Sequence, residues 1–332
     1  MDSSSEKSFK LWDPVGTARN ALAITALCTA FSFLGPYYWF FDLFCHWHCQ
    51  YALICFITSA YYCWKKKSWS AALALTLLFL QISYLVPFYV TPSISHGGIK
   101  GFHQIKIAQI NLCAQNKHTS STVNYLKSKS FHILSFVEMT PTWLSALEEI
   151  SLDYPYKINE PQDDCFGVAL WSKKPIKDHR IVAYVSTSAP SIEATLVVND
   201  QLVTVLVTHT LPPKSALLSN CRDEQLARIG ERKELFHRDI ILLGDLNNTP
   251  WSHSYKKLIQ SLDLFDGRQG FGVCASWPTV ATPLLIPIDH CLVSKRIKVE
   301  DFRLGPRVGS DHYPLEIVLG IPSANDISHK TN

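Results

Sequence analysis

The segment DIILLGDLNN, residues 239–248, contains the pattern that decides the fold of this chain. The apolar run within it is typical of a strand buried inside a sheet, and Gly244 permits a tight exit at its end. Asp245 and Asn247 follow at a spacing of two, so in an extended chain their side chains lie on one face. The segment therefore predicts a buried strand that presents a carboxylate and an amide to a cleft. Taken alone, an ordinary Asp-Asn turn before the next helix explains these residues equally well.

Polar side chains also end other apolar runs in the last two thirds of the chain. Asn111 closes QIKIAQIN, Glu138 closes HILSFVE and His209 closes LVTVLVTH. The series finishes with two Asp–His pairs, Asp289–His290 in IPIDH and Asp311–His312 in GSDHYPL. Strand ends present such groups to a shared cleft, where carboxylate and amide oxygens suit Mg²⁺ or Mn²⁺ and a His–Asp pair handles protons. The ordered set therefore predicts a phosphoester hydrolase.

Individual roles follow from the chemistry of phosphate-ester cleavage, which needs a cation on the phosphate and a positioned water. We interpret His312 as the imidazole at the phosphate, Asp289 as its orienting partner and Asp311 as a metal ligand. Glu138 is a second candidate metal ligand, although an acid at a helix start explains it as well. A single histidine is more often structural than functional, so the order of the whole set carries the prediction.

Strand-like runs outnumber helical ones between residues 104 and 320. Helical spacing is predicted for the following segments: Ser120–Lys129, Pro141–Ile150, Asp223–Phe236 and Trp251–Leu262. Many strands with sparse helices predict an α/β fold in which two sheets pack together and the helices lie outside.

Three long apolar segments precede this region, namely Asn20–Phe41, Leu43–Trp64 and Trp69–Val90. Each has about 22 residues, and about 20 apolar residues suffice for a helix to cross the hydrocarbon of a bilayer. Asp42 and Lys65–Lys67 are the only charged residues in this part of the chain. A signal peptide has one shorter apolar core, and a buried three-helix core would leave nothing polar to face water. The pattern therefore predicts three transmembrane helices.

The positive charges predict the orientation of these helices. Lys7, Lys10 and Arg19 precede the first segment, and Lys65–Lys67 lie between the second and third. Positive loops stay cytoplasmic, so the amino terminus is expected inside and the polar region outside the cytoplasm, in a bacterium on the extracytoplasmic side. The predicted organisation has five parts: a cytoplasmic tail (1–19), a three-helix transmembrane region (20–92), a linker (93–103), a catalytic domain (104–320) and a C-terminal tail (321–332).

Charge and cysteine usage exclude some classes of function. Residues 100–332 contain 25 Lys+Arg against 24 Asp+Glu, which argues against a protein that grips long nucleic acid by its backbone. The cysteines of this region show no CxxC spacing, so a zinc site is not expected. The cluster CHWHC at Cys45–Cys49 has spacings that could hold a metal, but Trp47 at its centre favours a membrane boundary.

From Gln104 to Leu319 the chain resembles the endonuclease/exonuclease/phosphatase superfamily, which contains DNase-I-like nucleases, inositol phosphatases and neutral sphingomyelinases. GDLNN, IDH and GSDHYPL are the most specific shared words. The resemblance implies a four-layer α/β sandwich and Mg²⁺-dependent phosphoester hydrolysis. It also implies these places in the site: Asn111 and Glu138 at the metal, His209 on the phosphate, Asp245 and Asn247 on the attacking water, with Asp289, Asp311 and His312 completing the set.

The chain is similar in more detail to the bacterial VanJ-type membrane proteins, whose role in teicoplanin resistance is attributed to dephosphorylating undecaprenyl pyrophosphate. The shared features are the architecture, N-x4-N from Asn111 to Asn116, GVALWSKKPI, HTLPP, SWP and the closing IPIDH and GSDHYPL. This similarity implies a lipid pyrophosphate substrate, with Asn116 and Arg222 as further substrate contacts. An exposed arginine at a helix start is the alternative for Arg222. The many membrane cysteines, and Cys291 beside His290, depart from the pattern and leave the substrate in doubt.

The sequence thus predicts a membrane-anchored phosphohydrolase that uses Mg²⁺ or Mn²⁺ and whose partners are the bilayer and a lipid-linked phosphate. A membrane-tethered nuclease, or another phosphodiesterase of the sphingomyelinase or phosphoinositide-phosphatase kind, is the alternative within the superfamily. A non-catalytic binding module is the alternative from another class. The near-neutral charge disfavours nucleic acid as a partner.

Overall fold

A computed structural model describes residues 13–90, 102–186 and 189–323. Most of the predicted cytoplasmic tail and linker, and most of the predicted C-terminal tail, therefore lie outside the described residues.

Four helices form the first described part of the chain. They are α1 (Pro14–Ser32), α2 (Trp39–Asp42), α3 (His48–Trp64) and α4 (Ser68–Leu85), and a 3-10 turn, Leu43–Trp47, joins α2 to α3. The helix α1 begins where the Asp13 side chain accepts a hydrogen bond from the Val15 backbone, as a helix cap requires.

Two of the three predicted membrane segments differ from the helices observed. The first segment ends as a helix at Ser32 instead of Phe41, because Gly35 and Pro36 interrupt it. The second begins as an α-helix only at His48, because the residues before it form the tighter 3-10 turn. Among the described residues one helix, Ser68–Phe88, is long and apolar enough to cross a membrane. Crossing by the other two remains a prediction.

Twelve strands, numbered along the chain, follow the helical region. They are β1 (Phe102–Asn111), β2 (Ile133–Val137), β3 (Tyr156–Glu160), β4 (Val168–Ser172), β5 (Ile176–Val182), β6 (Ser191–Val198), β7 (Gln201–Val207), β8 (Asp239–Asp245), β9 (Leu264–Asp266), β10 (Asp289–Ser294), β11 (Lys298–Leu304) and β12 (Leu315–Pro322).

The strands form two six-stranded sheets with the orders β11-β12-β1-β2-β4-β3 and β5-β6-β7-β8-β10-β9. Each sheet has a parallel pair near its middle, β1 with β2 and β7 with β8, while the other neighbours run antiparallel. Buried aliphatic side chains from both sheets, among them Ile107, Val137, Val207 and Leu243, share one core. The two sheets therefore pack face to face.

Helices cover both outer faces of this sandwich. α5 (Thr119–Lys127) and α6 (Pro141–Ser151) pack on the first sheet, and α7 (Ala216–Gly230) and α8 (His253–Leu262) pack on the second. The predicted α/β sandwich of two sheets is confirmed. The predicted helix Asp223–Phe236 was misplaced: α7 begins earlier, where the Ser215 side chain accepts from the Leu218 backbone.

The topology brings the ends of several strands to one edge of the sandwich. Asn111 ends β1, Glu138 directly follows β2, and Asp245 ends β8. His209 follows β7, which lies parallel to β8. Asp289 begins the antiparallel strand β10 and pairs in register with Asp245. The carboxyl ends of the parallel pairs therefore meet at the same edge, where a site can be built from both sheets.

Candidate active site

Asn111 lies at the centre of the site and connects the two sheets. Its Nδ2 donates to Oε1 of Glu138 and to Oδ2 of Asp245, both at 3.1 Å. Its Oδ1 accepts from the Cys113 backbone at 2.9 Å, and the Ala114 backbone donates to the other oxygen of Glu138 at 2.8 Å. The amide thus holds one carboxylate from each sheet at a fixed position.

The backbone is unusual at three of the residues that form the candidate site. Glu138 and Asn247 have φ of 58° and 44°, in the left-handed region that non-glycine residues rarely adopt. Such strain concentrates at functional sites. Gly244 has φ of 147°, and a Cβ there would overlap the carbonyl oxygen of Thr208. Only glycine therefore allows β8 to approach the end of β7 so closely.

His312 and Asp289 form a buried pair across the site. The Nδ1 atom of His312 lies 2.7 Å from Oδ2 of Asp289, which also accepts from the Ser276 hydroxyl at 2.6 Å. Because a carboxylate only accepts, Nδ1 carries a proton. The other ring nitrogen, Nε2, lies 3.4 Å from Nδ2 of Asn111 and 3.7 Å from Oδ2 of Asp245. The imidazole therefore presents Nε2 to the centre of the site.

The electrostatics of the site follow from burial and from close carboxylates. Burial alone would lower the pKa of His312, but the adjacent Asp289 carboxylate raises it to about 10. Burial would raise the pKa of Asp289, yet the His312 charge and the hydrogen bonds it accepts lower it. Burial, and then repulsion from Asp289, raise the pKa of Asp245 to about 6. At neutral pH the pair is therefore an imidazolium and a carboxylate, beside a second carboxylate that is close to protonation.

His209 contacts the other side of Asp245. Its Nδ1 donates to the Cys165 carbonyl at 3.0 Å, and its Nε2 lies 3.2 Å from Nδ2 of Asn247 and 3.6 Å from Oδ2 of Asp245. Nδ2 of Asn247 also donates to the Thr210 carbonyl at 2.8 Å, and its backbone N–H donates to Oδ1 of Asp245 at 2.8 Å. These contacts orient both the amide and the imidazole toward the carboxylate.

The other two residues of the Asp–His pairs, His290 and Asp311, have different partners. Oδ2 of Asp311 accepts from Nε1 of Trp277 at 3.0 Å. His290 is fully buried, where its Nδ1 accepts from Arg268 at 2.9 Å and its Nε2 donates to the Asn248 carbonyl at 2.7 Å. Asp311 still borders the same cavity, whereas His290 does not.

A cavity of about 810 Å³ opens at this edge of the sandwich. Its polar wall holds most of the predicted site residues: Glu138, His209, Asp245, Asn247, Asp311 and His312. A model of the endonuclease/exonuclease/phosphatase family matches residues 108–312, which is more than half of the chain. The chain belongs to the endonuclease/exonuclease/phosphatase family. Members of this family are generally phosphoester hydrolases and use divalent metal ions.

Solved structures of this family have the same fold. A humanized D. rerio TDP2 with 14 mutations is 14% identical, aligns over 65% of this chain and 98% of its own, and has a TM-score of 0.55. A family protein from Bacteroides thetaiotaomicron is 17% identical over 67% of this chain and 99% of its own, with a TM-score of 0.54. A functionally unknown conserved protein from Enterococcus faecalis V583 is 15% identical over 65% of this chain and 99% of its own, with a TM-score of 0.53. No curated protein sequence matches the chain significantly. Membership of the VanJ-type subgroup remains a prediction.

The donor set fits the divalent ion that this family uses. Carboxylates of Glu138, Asp245 and Asp311 border the cavity, while Lys214 is its only lysine or arginine among the described residues. Ligand atoms of Asp245, Asp289 and His312 lie within 4.8 Å of one another. Such a concentration of negative charge suits a hard cation with oxygen ligands.

Asn111 presents its amide NH₂ to the carboxylates and its oxygen to the backbone of Cys113. In this arrangement Asn111 positions the predicted ligand Glu138, and its own oxygen would reach a metal only after rotation of the amide.

Two predicted substrate contacts do not border the cavity. Asn116 accepts from the His118 backbone at 2.8 Å and stays in its own loop. Arg222 is fully buried, so it is not the exposed helix-start residue of the alternative prediction either. Because α7 begins seven residues before Asp223, Arg222 lies inside the helix and donates to Asp42 at 3.1 Å and to the Asn247 carbonyl at 3.2 Å. The arginine therefore connects the helical region to the catalytic loop.

Sequence reasoning missed one wall of the cavity. Three residues of the 3-10 turn of the helical region also border it, namely Leu43, His46 and Trp47. Only the boundary character of the CHWHC cluster pointed to this turn, and nothing in the sequence indicates that it lies against the sandwich. No role was predicted for Ser276 and Trp277 of the SWP motif. The Ser276 hydroxyl donates a hydrogen bond to Asp289, and the Trp277 indole N–H donates one to Asp311.

Proposed function

We propose that this protein is a membrane-bound, divalent-metal-dependent phosphohydrolase that acts on a lipid-borne phosphate, foremost a lipid pyrophosphate such as undecaprenyl pyrophosphate. One observation carries the proposal: the cavity that contains the predicted catalytic groups is also bordered by apolar residues of the helical region, Leu43 and Trp47. A phosphate carried on an apolar chain satisfies both walls of such a cavity.

The helical region has the distribution of polarity that suits a bilayer. Its interior contains hydrogen-bonded polar side chains: Nε2 of Gln81 donates to the Thr29 hydroxyl at 3.0 Å, and Oε1 of Gln81 lies 2.6 Å from Nδ1 of His48. Its outer surface is apolar, with Phe79 and Phe56 exposed by 75% and 60%. A water-soluble bundle would show the opposite arrangement, whereas membrane helices use interior hydrogen bonds between polar side chains. This supports membrane attachment of the catalytic domain.

The chain's own residues supply positioning and charge for the reaction. Asp245 and Asn247 orient the attacking water, and the Asp245 carboxylate is placed to accept its proton. His312, held charged by Asp289, donates from Nε2 to a non-bridging phosphate oxygen, where negative charge develops. Glu138 and Asp311 would hold a divalent ion, which would neutralise negative charge on the phosphate.

The orientation that goes with this proposal keeps the amino terminus in the cytoplasm and the catalytic domain outside it. Cysteine labelling in intact cells tests it: a probe introduced into an exposed residue of the catalytic domain should react with a membrane-impermeant reagent before lysis. Labelling only after lysis would reverse the orientation.

The activity is tested with the full-length protein in detergent micelles. Phosphate release from undecaprenyl pyrophosphate is measured with Mg²⁺ and with EDTA, beside a plasmid-nicking assay, and an Asp245→Asn variant serves as the matched control. Metal-dependent phosphate release that the variant loses is the expected result. Nicking without phosphate release would instead make the protein a tethered nuclease, and silence of both assays would contradict the lipid substrate.

A further inference from the structure

His46 borders the cavity, and one of its two ring nitrogens has no hydrogen-bond partner among the described residues. The side chain is only 6% exposed, and its Nδ1 lies 2.8 Å from the hydroxyl of Thr249 and 3.6 Å from the thiol of Cys45. Its Nε2 is buried and has no hydrogen-bond partner among the described residues. Leaving a buried polar atom without a partner is unfavourable, so such an atom calls for an explanation. Because His46 borders the catalytic cavity, a substrate group can supply the missing partner.

Two contacts fix His46 relative to the catalytic groups. Thr249, which bonds its Nδ1, lies two residues after Asn247 in the loop that follows β8. Asp42, at the start of the same turn, is paired with Arg222, and Arg222 in turn donates to the carbonyl of Asn247. The turn is therefore bound to the catalytic loop at both positions. When the Thr249 hydroxyl donates to Nδ1, the proton of the neutral imidazole lies on Nε2, which can then donate.

We propose that His46 is a second phosphate-binding position of the active site. It binds the phosphate next to the one that is cleaved, as in a diphosphate carried on an apolar chain. This inference rests on the proposed function and specifies its substrate class. The physical reason is that the 3-10 turn brings both kinds of group to the cavity: the buried, unpartnered Nε2 belongs to a side chain that borders the cavity, as do the apolar side chains of Leu43 and Trp47 from the same turn. A single phosphate fills the polar wall and leaves Nε2 unpaired, whereas a diphosphate satisfies both.

A metal site on the same turn is the competing explanation. Ligand atoms of Asp42, Cys45 and His46 lie within 4.8 Å of one another. However, Asp42 already faces the guanidinium of Arg222 at 3.1 Å, and the Cys45 thiol donates to Asp42. A cation there would stand beside a buried arginine, which repels it. The ligand that suits this position is therefore an anion.

The test compares two probes that differ by one phosphorus group, inorganic phosphate and methylenediphosphonate. Their dissociation constants are measured by calorimetry on the full-length protein in detergent at one fixed Mg²⁺ concentration. We expect His46→Ala to weaken diphosphonate binding by about 10- to 100-fold, the range for one hydrogen bond to a charged group, and phosphate binding by less than about threefold. Equal losses for both probes, or no loss for either, would overturn the proposal.

Two further variants separate a binding role from a structural one. His46→Gln can place an amide N–H near the position of Nε2 and should keep most of the preference for the diphosphonate. His46→Asn can place an amide group only near the position of Nδ1 and should lose the preference for the diphosphonate. His48→Gln is the matched control, because His48 is equally buried but bonds to Gln81 and does not border the cavity. It should leave the ratio of the two dissociation constants unchanged.

Turnover of farnesyl diphosphate distinguishes this inference from the proposed function. If the wild-type protein hydrolyses farnesyl diphosphate, and if His46→Ala raises KM by a larger factor than it lowers kcat, both the proposed function and the role of His46 are supported. If no hydrolysis occurs but His46→Ala still weakens diphosphonate binding more than phosphate binding, the proposed function is contradicted and the role of His46 in binding is supported. If hydrolysis occurs and His46→Ala leaves its KM and kcat unchanged, the proposed function is supported and the role of His46 is contradicted.

Discussion

The two Asp–His dipeptides of this chain have the same sequence and opposite arrangements. In Asp289–His290 the aspartate pairs with His312 and the histidine is buried beside Arg268, while in Asp311–His312 the histidine reaches the centre of the site. The functional pair is formed across the dipeptides, between Asp289 and His312. Each dipeptide therefore contributes one residue to this pair, while its other residue has different partners.

Strand geometry explains the difference. Asp289 and His290 are consecutive residues of β10, so their side chains point to opposite faces of the sheet. His290 consequently packs against Tyr255 of α8, with ring centroids 4.7 Å apart. His312 lies in a loop, where its backbone N–H donates to the Ser310 hydroxyl. The position of each residue relative to a strand, and not the dipeptide itself, decides which histidine borders the cavity.

The largest effect is expected from removing the histidine of the functional pair. His312→Ala should lower kcat for phosphate release by about 10²- to 10³-fold, because a positioned, charged hydrogen-bond donor to the phosphate is lost. The fold should be retained, as circular dichroism can check. Near-wild-type turnover would mean that the cavity works without this imidazole, and the contrast between the two dipeptides would disappear.

The next effect concerns the carboxylate behind that histidine. Asp289→Asn removes the charge that raises the pKa of His312, so the imidazole should become neutral at a lower pH. We expect kcat to fall by about 10- to 100-fold and the alkaline limb of the pH–rate profile to move toward lower pH. An unchanged profile would show that Asp289 acts only through packing.

The structural histidine should show the opposite behaviour. His290→Ala leaves the Asn248 carbonyl and one N–H of Arg268 without partners inside the protein. Each such loss costs about 1–3 kcal/mol, so the melting temperature should fall while kcat per folded molecule stays within about threefold of wild type. A large loss of kcat at unchanged stability would place His290 among the catalytic residues.

Local sequence patterns were sufficient for the strands and for the residues at their ends. Asn111, Asp245 and Asp289 close or open apolar runs, and the structure brings them to one edge because parallel pairs of strands end together. The start of α7 is also encoded locally, by the capping residue Ser215 shortly after two prolines.

Contacts between distant segments could not be read from the sequence. His46 and Thr249 are separated by more than 200 residues, and Arg268 meets His290 only because a loop after β9 folds over β10. No periodicity encodes such contacts, since each depends on how finished elements pack. The extent of the membrane segments was overestimated for a related reason: apolar composition continues through Gly35, where the helix is interrupted.

The smallest predicted effect is the pH dependence of stability that separates the two histidines. Burial, and then the charge of Arg268, lower the pKa of His290 well below its usual value near 6.5. Its folded state prefers the neutral ring, so its contribution to stability is present above about pH 6.5 and is lost as the pH falls toward the folded-state pKa, by at most about 1.4 kcal/mol per pH unit. His312 has the opposite sign, because its raised pKa gives stability that persists below pH 6.5 and is lost only as the pH rises toward about 10. Melting temperatures of wild type and His290→Gln between pH 5 and 7.5, with EDTA present, should therefore converge as the pH falls. Parallel curves would show that His290 is not held neutral by its surroundings.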